Sequence, residues 1–236
     1  MPVAIITGAS KGLGKALATG LAAGGWSLVL DARGQTELAD VGTEIGALAT
    51  DGARVRAVPG DVTDPGHRRA LAAAAEALGG LDLLVNNAST LGQSPLPRAA
   101  VLSPAVLRRV VEVNTIAPLA LIQEVLPLLR RSADPRILNV TSDASVEHYD
   151  SWGGYGSSKA ALDHLSATLA VEEPDIRVWA VDPGDMRTDM HQDAFPGEDI
   201  SDRPEPDSVV PSLLALITGD APSGRIKAAE MAGGPR

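Results

Sequence analysis

The chain has 236 residues, 44% of them apolar, enough to bury a full α/β core, and no shift in composition marks a boundary, so one domain over residues 1–236 is expected. A net charge of −10 argues against a nucleic-acid surface, no apolar run approaches the ~18 residues of a membrane helix, and no basic leader precedes the first strand, so a cytoplasmic protein with no membrane partner is expected. Zero cysteines exclude disulfides and thiolate chemistry, and the four histidines show no ligand spacing, so no metal is expected.

Val3-Ala-Ile-Ile-Thr7 is continuously apolar, as a parallel strand covered on both faces should be. Gly8-Ala-Ser-Lys-Gly12-Leu-Gly14 follows, then a helical pattern through Leu17 and Leu21 to Gly24-Gly25. A strand, a glycine turn and a helix start together form a phosphate site, because glycines admit the phosphate to the backbone and the helix start offers free N–H groups. The second strand, Ser27 to Asp31, runs into Ala32-Arg33. At such a strand end an acid suits a ribose 2′-OH and an arginine a 2′-phosphate; Asp31 and Arg33 offer both. A helix over about 36–50 leads to the strand Arg54–Val58, then Asp61-Val62 and a helix that stops at Gly79-Gly80. The fourth strand, Leu81 to Val85, ends in Asn86-Asn87-Ala88-Ser89.

Ser103-Pro104 is an N-cap with proline at the first helical position, and it opens a long helix to about Arg131 that contains Asn114 and Pro118. Pro118 has no N–H for the carbonyl four residues back, so the Asn114 carbonyl is left free. Arg136 to Thr141 reads as a strand ending at Ser142, a position that alone suits a turn. Beyond Gly153, a helix would stack Tyr155 and Lys159 on one face. Free tyrosine titrates near ~10, so acid–base work near neutrality needs a drop of about 3 units, or ~4 kcal/mol. An ammonium ~4 Å away at an effective dielectric of about 20 supplies that much. The chain has four lysines (Lys11, Lys15, Lys159, Lys227) against sixteen arginines, so a merely solvating charge here would more naturally be arginine.

Ser142, Tyr155 and Lys159 at this spacing resemble the active site of the short-chain dehydrogenase/reductase family. Thr7-Gly-x-x-x-Gly-x-Gly14 looks like its cofactor motif, Asp61-Val62 its adenine-contacting pair, Asn86-Asn87-Ala88-Ser89 its Asn-Asn-Ala-Gly element, and Asp182-Pro183-Gly184 after the strand Ile176–Val181 its turn beside the nicotinamide. Ser89 in place of glycine and Asp182 in place of asparagine or serine are departures. The resemblance covers about residues 3 to 230, with Gly224–Ala229 as a shortened last strand. It implies a Rossmann-like doubly wound parallel α/β sheet of about seven strands with helices on both faces. It also implies that Ser142 hydrogen-bonds a substrate carbonyl, Tyr155 protonates it, Lys159 lowers the tyrosine pKa and holds the nicotinamide ribose, and Asn114 holds a relay water. The cofactor would touch Thr7, Gly8, Ser10, Lys11, Gly12, Leu13, Gly14, Arg33, Asp61, Val62, Asn87, Ala88, Pro183, Gly184 and Thr188 as well as Tyr155 and Lys159. NADP(H) is expected over NAD(H): counted from Gly8, the acid of NAD-preferring members would stand at Ala32, Asp31 falls one short, and Lys11 matches a cation of NADPH-preferring members. A homodimer or homotetramer through the helices of Asn114 and Tyr155 is also implied.

From Asp185 to Asp207, where the family carries its substrate lid, eight acids face Arg187 and Arg203. A solvated mobile loop is one reading of this stretch. In the other, a short helix turns Met186, Met190 and Phe195 towards Tyr149 and Trp152, so that Ser142, Tyr149, Trp152, Met186 and Met190 bind the substrate. An apolar pocket under an acidic lid suits neutral or cationic aromatic or alicyclic carbonyls. A cofactor-sensing binding protein without catalysis is the alternative function on the same fold. Nucleotide-sugar dehydratases and epimerases need a larger substrate domain than this length leaves room for.

Overall fold

The computed structural model describes residues 1–50 and 52–231; the remainder of the expected 1–236 domain lies outside the described residues. Side chains of successive strand residues point to opposite faces of a sheet, and both sets are apolar here. Val3, Ile5, Val29, Leu84, Ile137 and Val178 build one core. Ala4, Ile6, Leu28, Leu30, Leu83, Val85, Leu138, Val140, Trp179 and Val181 build the other. A sheet apolar on both sides must be covered on both sides, and it is.

Seven parallel strands, β1 (Val3–Ile6), β2 (Ser27–Ala32), β3 (Val55–Pro59), β4 (Leu83–Asn86), β5 (Arg136–Val140), β6 (Arg177–Asp182) and β7 (Gly224–Lys227), lie in the order β3-β2-β1-β4-β5-β6-β7. This is the Rossmann-like fold that the motifs imply. The helices α1 (Gly12–Ala23) and α2 (Gln35–Leu48) cover one face, through residues such as Leu17, Leu38 and Ile45. α3 (Pro65–Leu78) covers the other through Leu71 and Ala75. Strand order reverses between β1 and β4, and the crevice above that switch point is where such sheets bind ligands.

The long helix expected from 104 to 131 is interrupted. α4 (Pro104–Val111) passes into a π-helical turn at Glu112–Ile116 and continues as α5 (Ala117–Leu129). The Ala117 N–H bonds the Glu112 carbonyl, five residues back. Pro118 cannot donate to the Asn114 carbonyl, and the chain absorbs the missing bond by widening one turn rather than by a simple kink. α6 (Gly153–Glu172) carries Tyr155 and Lys159, α7 (Asp189–Ala194) lies in the expected lid, and α8 (Val210–Thr218) packs on the α1 face. The last strand is shorter than expected, because Ala228 already begins α9 (Ala228–Met231).

Candidate active site

The carboxyl ends of β1, β2, β4, β5 and β6 open into one cleft of about 1380 Å³. At its floor, Gly8 (φ +65°) and Gly12 (φ +55°) hold a conformation that side chains strain to adopt. Gly14 is required for packing, since a Cβ there would lie 2.3 Å from the Gly8 carbonyl oxygen. Lys11 stands at the N-cap of α1 without a capping side-chain bond, so the free N–H groups of the helix start remain available to an anion. Thr7 and Asn87, both expected at the cofactor, hold the two strand ends together. Thr7 Oγ1 accepts from Asn87 N and Ala88 N, each at 3.0 Å, and Asn87 Nδ2 donates to the carbonyls of Thr7 (2.9 Å) and Gly8 (3.0 Å).

At the β2 end, Arg33 is exposed on the cleft wall. Asp31 is turned inward: its Oδ1 lies 2.6 Å from His67 Nε2, and its Oδ2 accepts from Gly8 N at 3.4 Å. Asp61 receives Thr63 N and Oγ1 on one oxygen and Arg109 Nη2 on the other. Burial pushes the Asp61 carboxyl up, but these bonds together outweigh it and hold the group below the usual range. Lys11 Nζ pairs with Asp189 of α7 at 2.7 Å. Gly184 (φ +78°) donates to Asp182 Oδ1, and Thr188 Oγ1 caps α7 by accepting from His191 N, so its expected role at the cofactor is shared with a structural one.

Ser142, Tyr155, Lys159 and Asn114 lie near one another beyond the end of β5. Lys159 is 2% exposed, donates to the Val140 carbonyl at 2.8 Å and lies 5.6 Å from the centre of the Tyr155 ring. Burial pushes its ammonium down to about 8, with Asp163 pulling the other way. Tyr155 departs from the expected lowering. Burial pushes it up to about 12, the Ser89 and Ser142 hydroxyls pull it down, and Asp143 and Asp182 push it further up. The reason is desolvation: a phenolate taken from water costs more than two hydroxyls return, and the Lys159 ammonium is spent on a carbonyl. Ser142 Oγ lines the cleft and donates to the neighbouring Asp143 Oδ1 at 2.9 Å, so its hydrogen is engaged in this arrangement. The Asn114 side chain is fully engaged, with Nδ2 on Ser158 Oγ and the Thr90 carbonyl and Oδ1 on Thr90 N and Ser89 Oγ, while its backbone sits in the π turn.

Sequence reasoning passed over several groups at this site. Arg225, on β7, donates through Nε to Asp163 and through Nη2 to the Ser142 carbonyl at 3.0 Å and Asp182 at 3.3 Å. Ser89, noted only as a departure, donates to Asn114 Oδ1 at 3.2 Å and pulls the phenol down, and its φ is not positive. His67 and Asp143 had no signal beyond their residue types. At the far end of the cleft, Trp152 lies between Tyr149 (6.4 Å between ring centres), Tyr155 (5.7 Å) and Phe195 (5.8 Å). His191 packs on Phe195 at 4.9 Å between ring centres, and Met186 and Met190 also line the cleft, with Met186 packed partly against the core. The short lid helix is therefore present, and Ser94 Oγ fixes it by donating to the Asp193 carbonyl at 2.6 Å.

A family model described as short chain dehydrogenase matches residues 2–199, and the chain belongs to that family of oxidoreductases, whose members use a nicotinamide cofactor. Among curated relatives, the sepiapterin reductase of Meriones unguiculatus is 36% identical over 199 residues, 80% of this chain and 76% of that protein. A short chain dehydrogenase from Salmonella enterica superposes with a TM-score of 0.88 at 28% identity, covering 96% of this chain and 95% of that one. The alcohol dehydrogenase of the archaeon Thermococcus sibiricus, solved with 5-hydroxy-NADP, superposes at 0.85 with 28% identity and the same coverage of both chains.

The donor set fits such a cofactor. Uncapped N–H groups at α1, two glycines at positive φ, the exposed Arg33 and the buried ammonium of Lys159 together suit a phosphate-bearing dinucleotide. Among the described residues, no helix is long and apolar enough to cross a membrane, and no cluster of ligand side chains could hold a metal.

Proposed function

We propose that the protein is an NADP(H)-dependent carbonyl reductase or alcohol dehydrogenase, its chain forming one cofactor-binding and catalytic domain with a substrate lid at about 185–207. The observation that carries the reading is the convergence of Ser142, Tyr155 and Lys159 on the wall of one cleft, with Trp152 against Tyr155 and the glycine loop lining the same cleft. The similarity to a sepiapterin reductase and to an alcohol dehydrogenase solved with 5-hydroxy-NADP supports a reductase with NADP(H).

When bound, the nicotinamide supplies or accepts the hydride. The phosphate loop and the start of α1 would hold the pyrophosphate, Arg33 and Lys11 a 2′-phosphate, and Lys159 the nicotinamide ribose. Lys11 would exchange its Asp189 partner for the phosphate, which releases one tie on α7. On the substrate side, Tyr155 Oη gives its proton to the carbonyl oxygen while Ser142 Oγ turns from Asp143 to hydrogen-bond the same atom. A phenol held near 12 is a poor acid by itself, so it needs a cation brought close. Lys159 would supply it by turning its ammonium from the Val140 carbonyl towards the phenol. The Asn114 backbone in the widened turn leads a relay water to that ammonium. The substrate would lie against Tyr149, Trp152, Met186 and Met190.

Tyr155→Phe removes the proton and leaves the ring. NADPH consumption over a panel of ketones and aldehydes should be lost in this variant, with NADPH binding by fluorescence preserved. Near wild-type turnover in Tyr155→Phe would overturn the reading, and no turnover of any carbonyl by the wild type would favour the cofactor-sensing alternative.

A further inference from the structure

Asp31 is the feature of the cleft that argues against NADP(H), since a carboxylate at this strand end can take a ribose 2′-OH and would repel a 2′-phosphate. The residue lines the cleft, yet both of its oxygens are already engaged, Oδ1 with His67 behind the cleft and Oδ2 with the Gly8 N–H at its floor. Its side chain is 2% exposed and that of His67 is 6% exposed. A buried carboxylate needs a partner, and the imidazole at 2.6 Å is that partner. The ring is itself fixed. Asp64 caps α3 by accepting from Gly66 N and His67 N, and the ring packs so closely on Gly60 that a Cβ there would lie 2.2 Å from Nδ1.

We propose that His67 sets the cofactor preference from behind the cleft, by holding the Asp31 carboxylate off the adenosine ribose. The inference rests on the NADP(H) reading above. His67 is a positioning residue in this scheme: it acts on Asp31, and through Asp31 on the 2′ substituent, leaving Arg33 and Lys11 unopposed. A chain with Asp31 released would carry a carboxylate and an arginine side by side at the 2′ position, and its choice between cofactors would narrow or invert.

Dissociation constants of NAD⁺ and NADP⁺ for the full chain, measured by calorimetry, test this without turnover. The wild type should bind NADP⁺ more tightly. In His67→Phe the freed carboxylate should tighten NAD⁺ and weaken NADP⁺, each by about tenfold, as one charge-assisted hydrogen bond gained and one repulsion added. The double variant Asp31→Asn with His67→Phe should lose both effects, and Asp31→Asn alone, which keeps a polar group for His67, should leave NAD⁺ binding unchanged. A folded His67→Phe in which both affinities move by the same factor overturns the inference, because mere loosening of α3 has no sign for the 2′ group. If His67→Phe does not fold, Asp31→Asn decides: weaker NAD⁺ binding would mean that the carboxylate already holds the ribose. A wild type that prefers NAD⁺, with Asp31→Asn abolishing the preference, overturns both readings. The same preference untouched by Asp31→Asn overturns the NADP(H) reading and leaves the His67 tie standing.

Discussion

Lys159 and Tyr155 show what it costs to hold an ammonium and a phenol out of water. The ammonium, pushed down to about 8, loses its proton in the native state while the unfolded lysine keeps it up to ~10.4. Between those values the unfolded chain binds the extra proton, so stability rises with pH. The phenol acts in the opposite sense: its folded value is about 12 against ~10 unfolded, so its contribution is present below ~10 and lost as pH climbs towards 12. The wild type should therefore gain resistance to urea between about pH 8 and about pH 10. Lys159→Met should remove that gain, which at 1.36 kcal/mol per unit amounts to at most about 3 kcal/mol. Parallel pH profiles for the two proteins would show that the ammonium is better solvated than its burial implies.

At the scale of elements, the site depends on a strand that touches no expected catalytic side chain. β7 pairs with β6, and its Arg225 reaches across to Asp163 on α6, one turn beyond Lys159, and to the carbonyl of Ser142. The Ser145 hydroxyl lies 2.7 Å from the Ser142 carbonyl and 2.6 Å from Asp163 Oδ2, its single hydrogen serving one of them at a time, and closes the network. Arg225→Ala should lower turnover at least about tenfold with little change in NADPH affinity, and should cost about 1–3 kcal/mol of stability, since it leaves Asp163 and Asp182 without their shared donor. Urea melts and steady-state kinetics read the two effects separately; wild-type kcat in Arg225→Ala would exclude the strut. This element also marks the limit of what the sequence reveals. The strands, the glycine turn and the Tyr155–Lys159 step were legible because each depends on local periodicity. Arg225 to Ser142 and His67 to Asp31 span 83 and 36 residues, and such pairings are fixed by strand order and side-chain direction. Pro118 signals a break, but whether the helix kinks or widens is decided by the packing of Asn114 against Ser158 and Thr90.

For the whole molecule, charge and shape act together at the mouth of the cleft. The segment from Asp185 to Asp207 carries a net −6 of the chain's −10. Arg187 pairs with Glu205, and Arg203 with Asp185 and Asp202, so both arginines of the segment are already neutralised within it. A negative rim around an aromatic chamber slows the approach of anions and leaves neutral rings unaffected. Neutral or cationic aromatic and alicyclic carbonyls should therefore show higher kcat/KM than matched phosphorylated or carboxylated ones, with the gap closing as salt is raised. Higher efficiency for the anionic member at low salt would contradict this.

Of the three tryptophans, Trp26 and Trp179 are buried in the core, whereas Trp152 lines the cleft and touches Tyr155 and Phe195. One indole of the chain thus stands on the cleft wall, and the other two are sealed in the core. A guest that stacks on Trp152 should quench its emission by contact, so occupancy of this end of the cleft can be read from the protein's own fluorescence, with no label and no reaction.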